Sequence, residues 1–241
     1  VVGTLGLVHD LQPDQPVEAL RRLLRTTAQD QVGPPGEDTP GWDEHFGAGR
    51  LNADRAVRAA VPLTGVSLSG PGTGYVLAEQ TFTAGAGPIT ATRVYTWQAT
   101  GHPPVVRAGH LTDTITFAWN TAGSKTVTVT AANFATVVSA THAVDVVIPP
   151  PGATLTVCQT GACGYRDIQT AVDAASEGNV IKVAAGTYTG TNDYGGLSQV
   201  VYVDRQVTLR GGYGPDFAEP PDPEAHPTIV DAQGAGRVFY V

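Results

Sequence analysis

From Pro62 onward the apolar residues of this chain stop recurring at helical spacing and begin to alternate. Val66–Ser67–Leu68–Ser69, Tyr75–Val76–Leu77, Thr81–Phe82–Thr83 and Val94–Tyr95–Thr96–Trp97 each read as a short extended run. Thr114–Trp119, Lys125–Ala131 and His142–Ile148 continue the pattern, with Gly, Pro and Asn turns between them. A strand alternates faces at every residue, so such runs bury one face and solvate the other. About seven of them in succession predict a β-sandwich over residues 62–149. No cysteine lies in that stretch, so packing must hold the sheets together. Trp97 and Trp119 are its natural core anchors, because an indole buries a large apolar area.

The chain is 241 residues long, enough for two or three domains. Charged residues make up 15% and hydrophobic ones 41%, which fits a folded and lightly charged chain. The net charge is -8 and the lysines are only Lys125 and Lys182. Nucleic acid or an anionic membrane would call for a basic face, so neither is expected as a partner. No apolar run approaches the length of a membrane span. Methionine is absent and residue 1 is Val, so we read the chain as an internal piece of a longer protein.

Residues 1–61 carry helical patterns. Val1–Leu11 reads as a buried helix with Val2, Leu5 and His9 on one face. Pro16 fits the first position of a second helix, in which Val17, Leu20, Leu24 and Thr27 share a face and Leu23 lies beside it. Arg21, Arg22 and Arg25 form a solvated face of that helix. Gln31–Pro40 is a Pro/Gly loop, and Gly47 and Gly49 mark a tight turn. Asn52 is placed to cap a third helix with Ala53, Ala56, Val57 and Ala60 on one face.

The second helix and the run Gly47-Ala48-Gly49-Arg50-Leu51-Asn52-Ala53-Asp54-Arg55-Ala56-Val57 resemble the closing segment of a subtilisin-like serine protease domain, which ends in G-x-G-x-x-N-A-x-x-A-V. On that resemblance Val1-Val2-Gly3 matches the end of the segment that carries the family's nucleophilic Ser. The triad Asp, His and Ser would then lie upstream of Val1, and no catalytic residue is expected in this chain. His9, on an apolar helical face, and His45, in the charged turn Asp43-Glu44-His45, have no nucleophile paired with them in the sequence and read as structural.

Within 62–149, the run from Phe117 to Asn133 and Tyr95-Thr96-Trp97 resemble a PKD-like or immunoglobulin-like extracellular domain. Such domains act as spacers or adhesive modules on secreted proteins, and the fold fixes no one function. His102, His110 and Asp113 fit no metal-site spacing and read as exposed loop residues.

Pro149–Gly152 is a stiff linker into residues 150–241. A strand over Ala153–Cys158 and an amphipathic helix over Tyr165–Ala175, ended by Gly178, come first. Short strands follow at Val180–Val183, Val200–Val203, Val207–Leu209, Thr228–Val230 and Val238–Val241, with Gly-rich corners between them. Cys158 and Cys163 bracket Q-T-G-A, too few ligands for zinc and not the C-x-x-C redox spacing. They read as a local disulfide, which implies an oxidising compartment, or as a pair of reduced thiols.

Tyr165–Tyr188 and Val207–Tyr213 resemble the start of a right-handed parallel β-helix of the pectin-lyase-like type, with Asn179 where the family's opening motif has Asp. The resemblance implies a cap helix over the apolar end of a solenoid that continues past Val241. Some such proteins cleave polysaccharides with carboxylates and basic residues. Asp193, Asp204, Arg205, Asp231 and Arg237 are candidates by residue type, with corner placement the competing reading. Pro215–Pro227 reads as an insertion between rungs.

The sequence therefore predicts a mixed, mainly β, multidomain fragment. Residues 1–61 form the helical tail of an α/β subtilisin-like domain, 62–149 a PKD/Ig-like β-sandwich, and 150–241 the first coils of a parallel β-helix with an N-terminal cap helix. The expected parent is a secreted or cell-surface serine endopeptidase whose accessory β-domains space it from, or attach it to, an extracellular polysaccharide or protein surface. The alternatives are a surface adhesion or carbohydrate-binding protein without proteolytic activity, and a polysaccharide-active β-helix enzyme with its site beyond this chain. No cofactor and no metal site are expected.

Overall fold

The computed structural model describes residues 1–241. Three helices come first: α1 (Val2–Leu11), α2 (Val17–Thr26) and α3 (Ala53–Ala60). Eight strands follow: β1 (Gly65–Ser69), β2 (Thr73–Tyr75), β3 (Gln80–Gly87), β4 (Arg93–Ala99), β5 (Val105–Gly109), β6 (Thr112–Phe117), β7 (Gly123–Ala132) and β8 (Val137–Val147). Then come β9 (Thr154–Val157), α4 (Ile168–Ala174), β10 (Val180–Ala184), β11 (Gly186–Thr189), β12 (Asn192–Tyr194), β13 (Leu197–Tyr202), β14 (Thr208–Tyr213), β15 (Thr228–Asp231) and β16 (Arg237–Tyr240). The chain is thus mainly β, with several sheets. Two of them have the strand orders β1-β3-β6 and β2-β8-β7-β4-β5 expected of a sandwich.

The molecule divides into two compact units: Val1–Ser69 with Phe82–Ile115 and Thr126–His142, and Gly70–Thr81 with Thr116–Lys125 and Ala143–Val241. In the first unit, α1 packs on α2 and α3 around Val8, Leu20, Leu23, Leu24, Ala56, Ala59 and Ala60. The buried face of α1 is Thr4 and Val8, not Val2, Leu5 and His9; Val2 and His9 are exposed, because the i, i+4 pair Thr4/Val8 is the one turned to the other helices. Pro16 is the N-cap of α2 rather than its first helical residue, and its carbonyl accepts from Ala19 and Leu20. Asn52 caps α3 as the sequence predicts, its side chain accepting from the Arg55 amide at 3.0 Å.

The sandwich part of this unit follows from the alternation of β3 and β4. Phe82, Ala84 and Ala86 of β3, and Tyr95, Trp97 and Ala99 of β4, point inward. The Tyr95 hydroxyl ties the two sheets, accepting from the Ala86 amide and donating to the Leu111 carbonyl. Gly109 makes room for the same ring, since a Cβ there would strike it. Helices and sandwich are joined by polar side chains. Asn133 Nδ2 donates to the Val61 carbonyl at 2.7 Å, and the Leu63 amide donates to Thr136 Oγ1 at 2.7 Å.

The second unit is built on parallel pairs. β10 lies between β9 and β14, aligning Ile181 with Leu155 and Leu209. β11 pairs with β15 and β13 with β16, also parallel. Leu155, Val157, Ile181 and Val183 are buried, with the buried face of α4 (Ile168, Ala171 and Val172) against β9, β10 and β13. The helix is shorter than the sequence predicts. Asp167 caps it by accepting from the Thr170 amide, and it ends at Ala175, which turns extended, before Gly178 is reached. Tyr165 bridges to Val157 instead of entering the helix, and its buried hydroxyl donates to the Val76 carbonyl. Asn179 is fully buried and fastens the corner, accepting from Ser176 and donating to the Pro150 carbonyl.

Candidate functional site

The residues singled out by type do not converge. His9 and His45 are exposed; His45 contributes its backbone amide, which donates to Asp43 Oδ1. Asp113 lies on β6 rather than in a loop, where its carboxylate accepts from Trp97 Nε1 at 2.7 Å and faces Arg107 at 3.7 Å. Asp193 accepts from the Ser198 hydroxyl, and Asp231 accepts from the Gln233 amide at the turn after β15. Asp204 pairs with its neighbour Arg205, whose guanidinium also caps the end of α4 by donating to the carbonyls of Asp173 and Ala175. That hydrogen bond from Arg205 holds the Asp204 carboxyl below the usual carboxylate range. Arg237 lies over the Tyr240 ring at 5.7 Å.

The disulfide Cys158–Cys163 spans 5.9 Å between Cα atoms. Arg166 sits on it, donating to the Gly161 carbonyl at 3.1 Å and pairing with Glu79 at 2.7 Å. In the chain-entropy account a closed loop this short stabilises by about 2 kcal/mol. Replacing both cysteines by Ser is therefore expected to destabilise the second unit by about that amount, measured as a lower urea midpoint that the reduced wild-type chain reproduces.

Beside α4 a groove of about 340 Å³ opens in the second unit. Arg166, Asp167, Thr170, Asp173 and Asn192 give it a polar lining, with Tyr188 at its wall. Asp173 accepts from Gln169 Nε2 at 2.7 Å and from the Tyr194 hydroxyl at 3.4 Å. Burial, and then the Asp173 charge, push the Tyr194 phenol above its ordinary range. Tyr194 begins a ladder of rings across β12, β13 and β16: Tyr194 stacks on Tyr202 at 4.7 Å, and Tyr202 on Tyr240 at 5.6 Å. The short strands that carry Tyr202 and Tyr240 were legible in the sequence, but the ladder depends on a register that only pairing supplies.

A second cluster lies on the outer face of β10 and β14. Lys182 and Arg210 stand side by side in register, and Glu219 from the Pro215–Pro227 insertion reaches them at 2.7 and 3.5 Å. Tyr213 donates to the same carboxylate. The Lys182 hydrogen bond, then that of Tyr213, lower the Glu219 pKa. The groups satisfy one another, so the insertion is pinned to the sheet.

In the first unit, sequence reasoning passed over three aspartates in the loop between Gln29 and Arg50. That loop is closed by the paired backbone of Gln29 and Arg50, and the Phe46 ring packs where a side chain at Gly33 would stand. One oxygen of each carboxylate accepts a backbone amide: Asp30 from Gly41, Asp38 from Gly33, and Asp43 from His45 and Phe46. The signal available in the sequence was Asp at positions 30, 38 and 43 inside a Gly/Pro-rich stretch that has to turn repeatedly.

No protein-family model matches the chain, and no curated protein matches it. Solved structures similar to it include the CARDB domain of a Pyrococcus furiosus protein, in complex with di-metal ions, at 16% identity and a TM-score of 0.30, covering 36% of this chain and 93% of that one. The PKD domain of a peptidase from a Thermoplasmatales archaeon is similar at 12% identity and a TM-score of 0.29, covering 35% of this chain and 96% of that one. An endo-beta-1,4-mannanase from Thermotoga petrophila is similar at 11% identity and a TM-score of 0.27, over 48% of this chain and 30% of that one. Scores of this size carry no argument about this chain.

Proposed function

We propose that the chain is the accessory, non-catalytic part of an exported or cell-surface multidomain protein whose upstream portion is a subtilisin-like endopeptidase. On this reading α2, α3 and the Asn52 cap close the protease domain, a PKD/Ig-like sandwich acts as spacer, and residues 150–241 begin a parallel β-helix that meets a polymer or protein surface. The observation that carries the reading is the trio of parallel pairs β10/β14, β11/β15 and β13/β16, in which β10, β11 and β13 are matched in chain order by β14, β15 and β16, as successive coils of a solenoid would be. The Cys158–Cys163 disulfide supports an oxidising compartment. No helix is long and apolar enough to cross a membrane.

The test has two arms. The coding region directly upstream of Val1 is expected to encode the Gly-Thr-Ser nucleophile segment, with Asp and His motifs before it. The purified chain is expected to leave casein uncut and to take up no serine-directed fluorophosphonate. An upstream region of another kind, or inhibitor-sensitive cleavage by residues 1–241, overturns the proposal.

The groove beside α4 favours a second reading, carbohydrate binding without proteolysis. Its Arg, Asp and Asn side chains suit the hydroxyls of a sugar. Retardation of the chain in gels containing soluble polysaccharide, lost in Asp173→Ala, would select that reading; equal mobility with and without polysaccharide removes it.

A further inference from the structure

The Cys158–Cys163 disulfide is enclosed on one side only. Cys158, directly after β9, is 3% exposed, whereas Cys163 is half-buried. Gln159, Thr160, Gly161 and Ala162 between them are all exposed, and a Cβ added at Gly161 would meet nothing. A solute therefore reaches the Cys163 sulfur more easily than the Cys158 sulfur. Arg166 Nη1 stands 3.8 Å from Cys158 Sγ and 3.7 Å from Cys163 Sγ. The same nitrogen donates to the Gly161 carbonyl, and Nε donates to Glu79, so the guanidinium is held in place over the bond. Two bonded sulfurs carry no charge for a cation to meet, but a thiolate does.

Thiol–disulfide exchange begins with attack of a thiolate on one sulfur and departure of the other as a thiolate. It is faster when the departing thiolate is better stabilised, and a neighbouring guanidinium supplies that stabilisation. The Arg166 side chain is 40% exposed and paired with Glu79, so solvent and the carboxylate reduce its influence to a few-fold.

We propose that Cys163 is a thiolation site for small thiols. The incoming thiol loses its proton to solvent, and its thiolate attacks Cys163 Sγ. A new S–S bond forms there, the Cys158–Cys163 bond breaks, and its electron pair leaves on Cys158 Sγ beside Arg166. Cys158 can attack back and restore the original bond. A second small thiolate can instead take its partner off Cys163, so that the small thiol is oxidised to its own disulfide and both cysteines are reduced. The consequence falls on the groove beside α4. Gln159, inside the closed loop, and Arg166 both line that groove, and Gln159 Nε2 donates to the Thr187 carbonyl on β11. Breaking the disulfide opens the loop that carries Gln159. Thiolation is independent of the function proposed above.

Glutathione at millimolar concentration, added to the folded 241-residue chain, tests this when the reaction is quenched in acid, blocked with N-ethylmaleimide and read by peptide mapping. Glutathione is expected on Cys163 and maleimide on Cys158. Each unit by which a leaving thiol becomes less acidic slows exchange by about three-fold, so Arg166→Met is expected to slow the reaction by at least about three-fold. Arg166→Lys keeps the charge and is expected to restore most of the rate. Glu79→Gln removes the carboxylate that competes for the guanidinium and is expected to quicken it. The sign separates this role from a structural one, because losing a residue that only braces the loop would bare the disulfide and quicken its reduction. Hydrogen exchange of the wild-type chain is expected to rise on thiolation at Gln159–Tyr165 and at Gly186–Thr189. A disulfide left intact by glutathione overturns the proposal, as does glutathione found mainly on Cys158 or an Arg166→Met chain that reacts as fast as wild type or faster. Unchanged exchange at Gly186–Thr189 overturns the link to the groove.

Discussion

Trp97→Ala is expected to destabilise the first unit by about 3–5 kcal/mol and to leave its sandwich unfolded at moderate urea. Trp97 is 0% exposed and sits mid-strand on β4, between Val105 of β5 and Val129 of β7. Truncation removes the largest apolar group of that core and leaves a cavity that two flanking strands, held by their ladders, cannot close. It also takes away the indole N–H that Asp113 accepts at 2.7 Å, leaving a half-buried carboxylate with Arg107 as its remaining neighbour at 3.7 Å. Trp97→Phe separates the two contributions, because it keeps most of the apolar volume and loses the hydrogen bond. It is expected to fall between wild type and Ala. Urea unfolding followed by far-UV circular dichroism gives the ranking; a Trp97→Ala midpoint equal to wild type would remove Trp97 from the core.

The strands that bury one face were legible because their pattern has a period of two. β4 and β7 could be placed from Tyr95, Trp97, Val127 and Val129 alone. β5, β11 and β12 were not, and the reasons are physical. Val105–Gly109 is an edge strand whose residues are mostly solvated, so no apolar alternation marks it. Gly186–Thr189 and Asn192–Tyr194 are three or four residues long and owe their strand geometry to partners elsewhere in the chain: β15, and the hairpin with β13. The face of α1 was misjudged for a related reason. Its residues are apolar almost all round, so periodicity does not select a face, and contact with α2 and α3 does.

Site residues were less legible still. A carboxylate is recognisable by type, but whether it faces another depends on turns. Asp193, Asp204 and Asp231 each satisfy themselves locally, whereas Asp30, Asp38 and Asp43 accept backbone amides that the turns of one loop bring to them, from as far as Gly41 to Asp30. The groove beside α4 depends in the same way on the strand Leu197–Tyr202 passing next to the helix, which no pattern in either segment announces.

Ile181→Ala is the corresponding prediction for the second unit, with an expected cost of about 2–5 kcal/mol. Ile181 is fully buried on the central strand of the β9-β10-β14 sheet and is stacked in register between Leu155 and Leu209. In a stack of coils each side chain contacts the equivalent residue above and below. Losing the middle one breaks two contacts and leaves a void roofed by the buried face of α4. One residue along, Lys182 lies on the opposite face and pairs with Glu219, which Arg210 also reaches. Lys182→Met is expected to leave the midpoint nearly unchanged, because Arg210 keeps a cation on that carboxylate and Met retains the largely buried aliphatic stem. Hydrogen exchange is the appropriate measurement, since the cost belongs to a local group of strands. Ile181→Ala should raise exchange together in β9, β10, β14 and α4, while the amides of β4 and β7 keep their protection. If exchange rises only within β10, the coils are not a cooperative stack, and the solenoid reading of residues 150–241 loses the packing on which it depends.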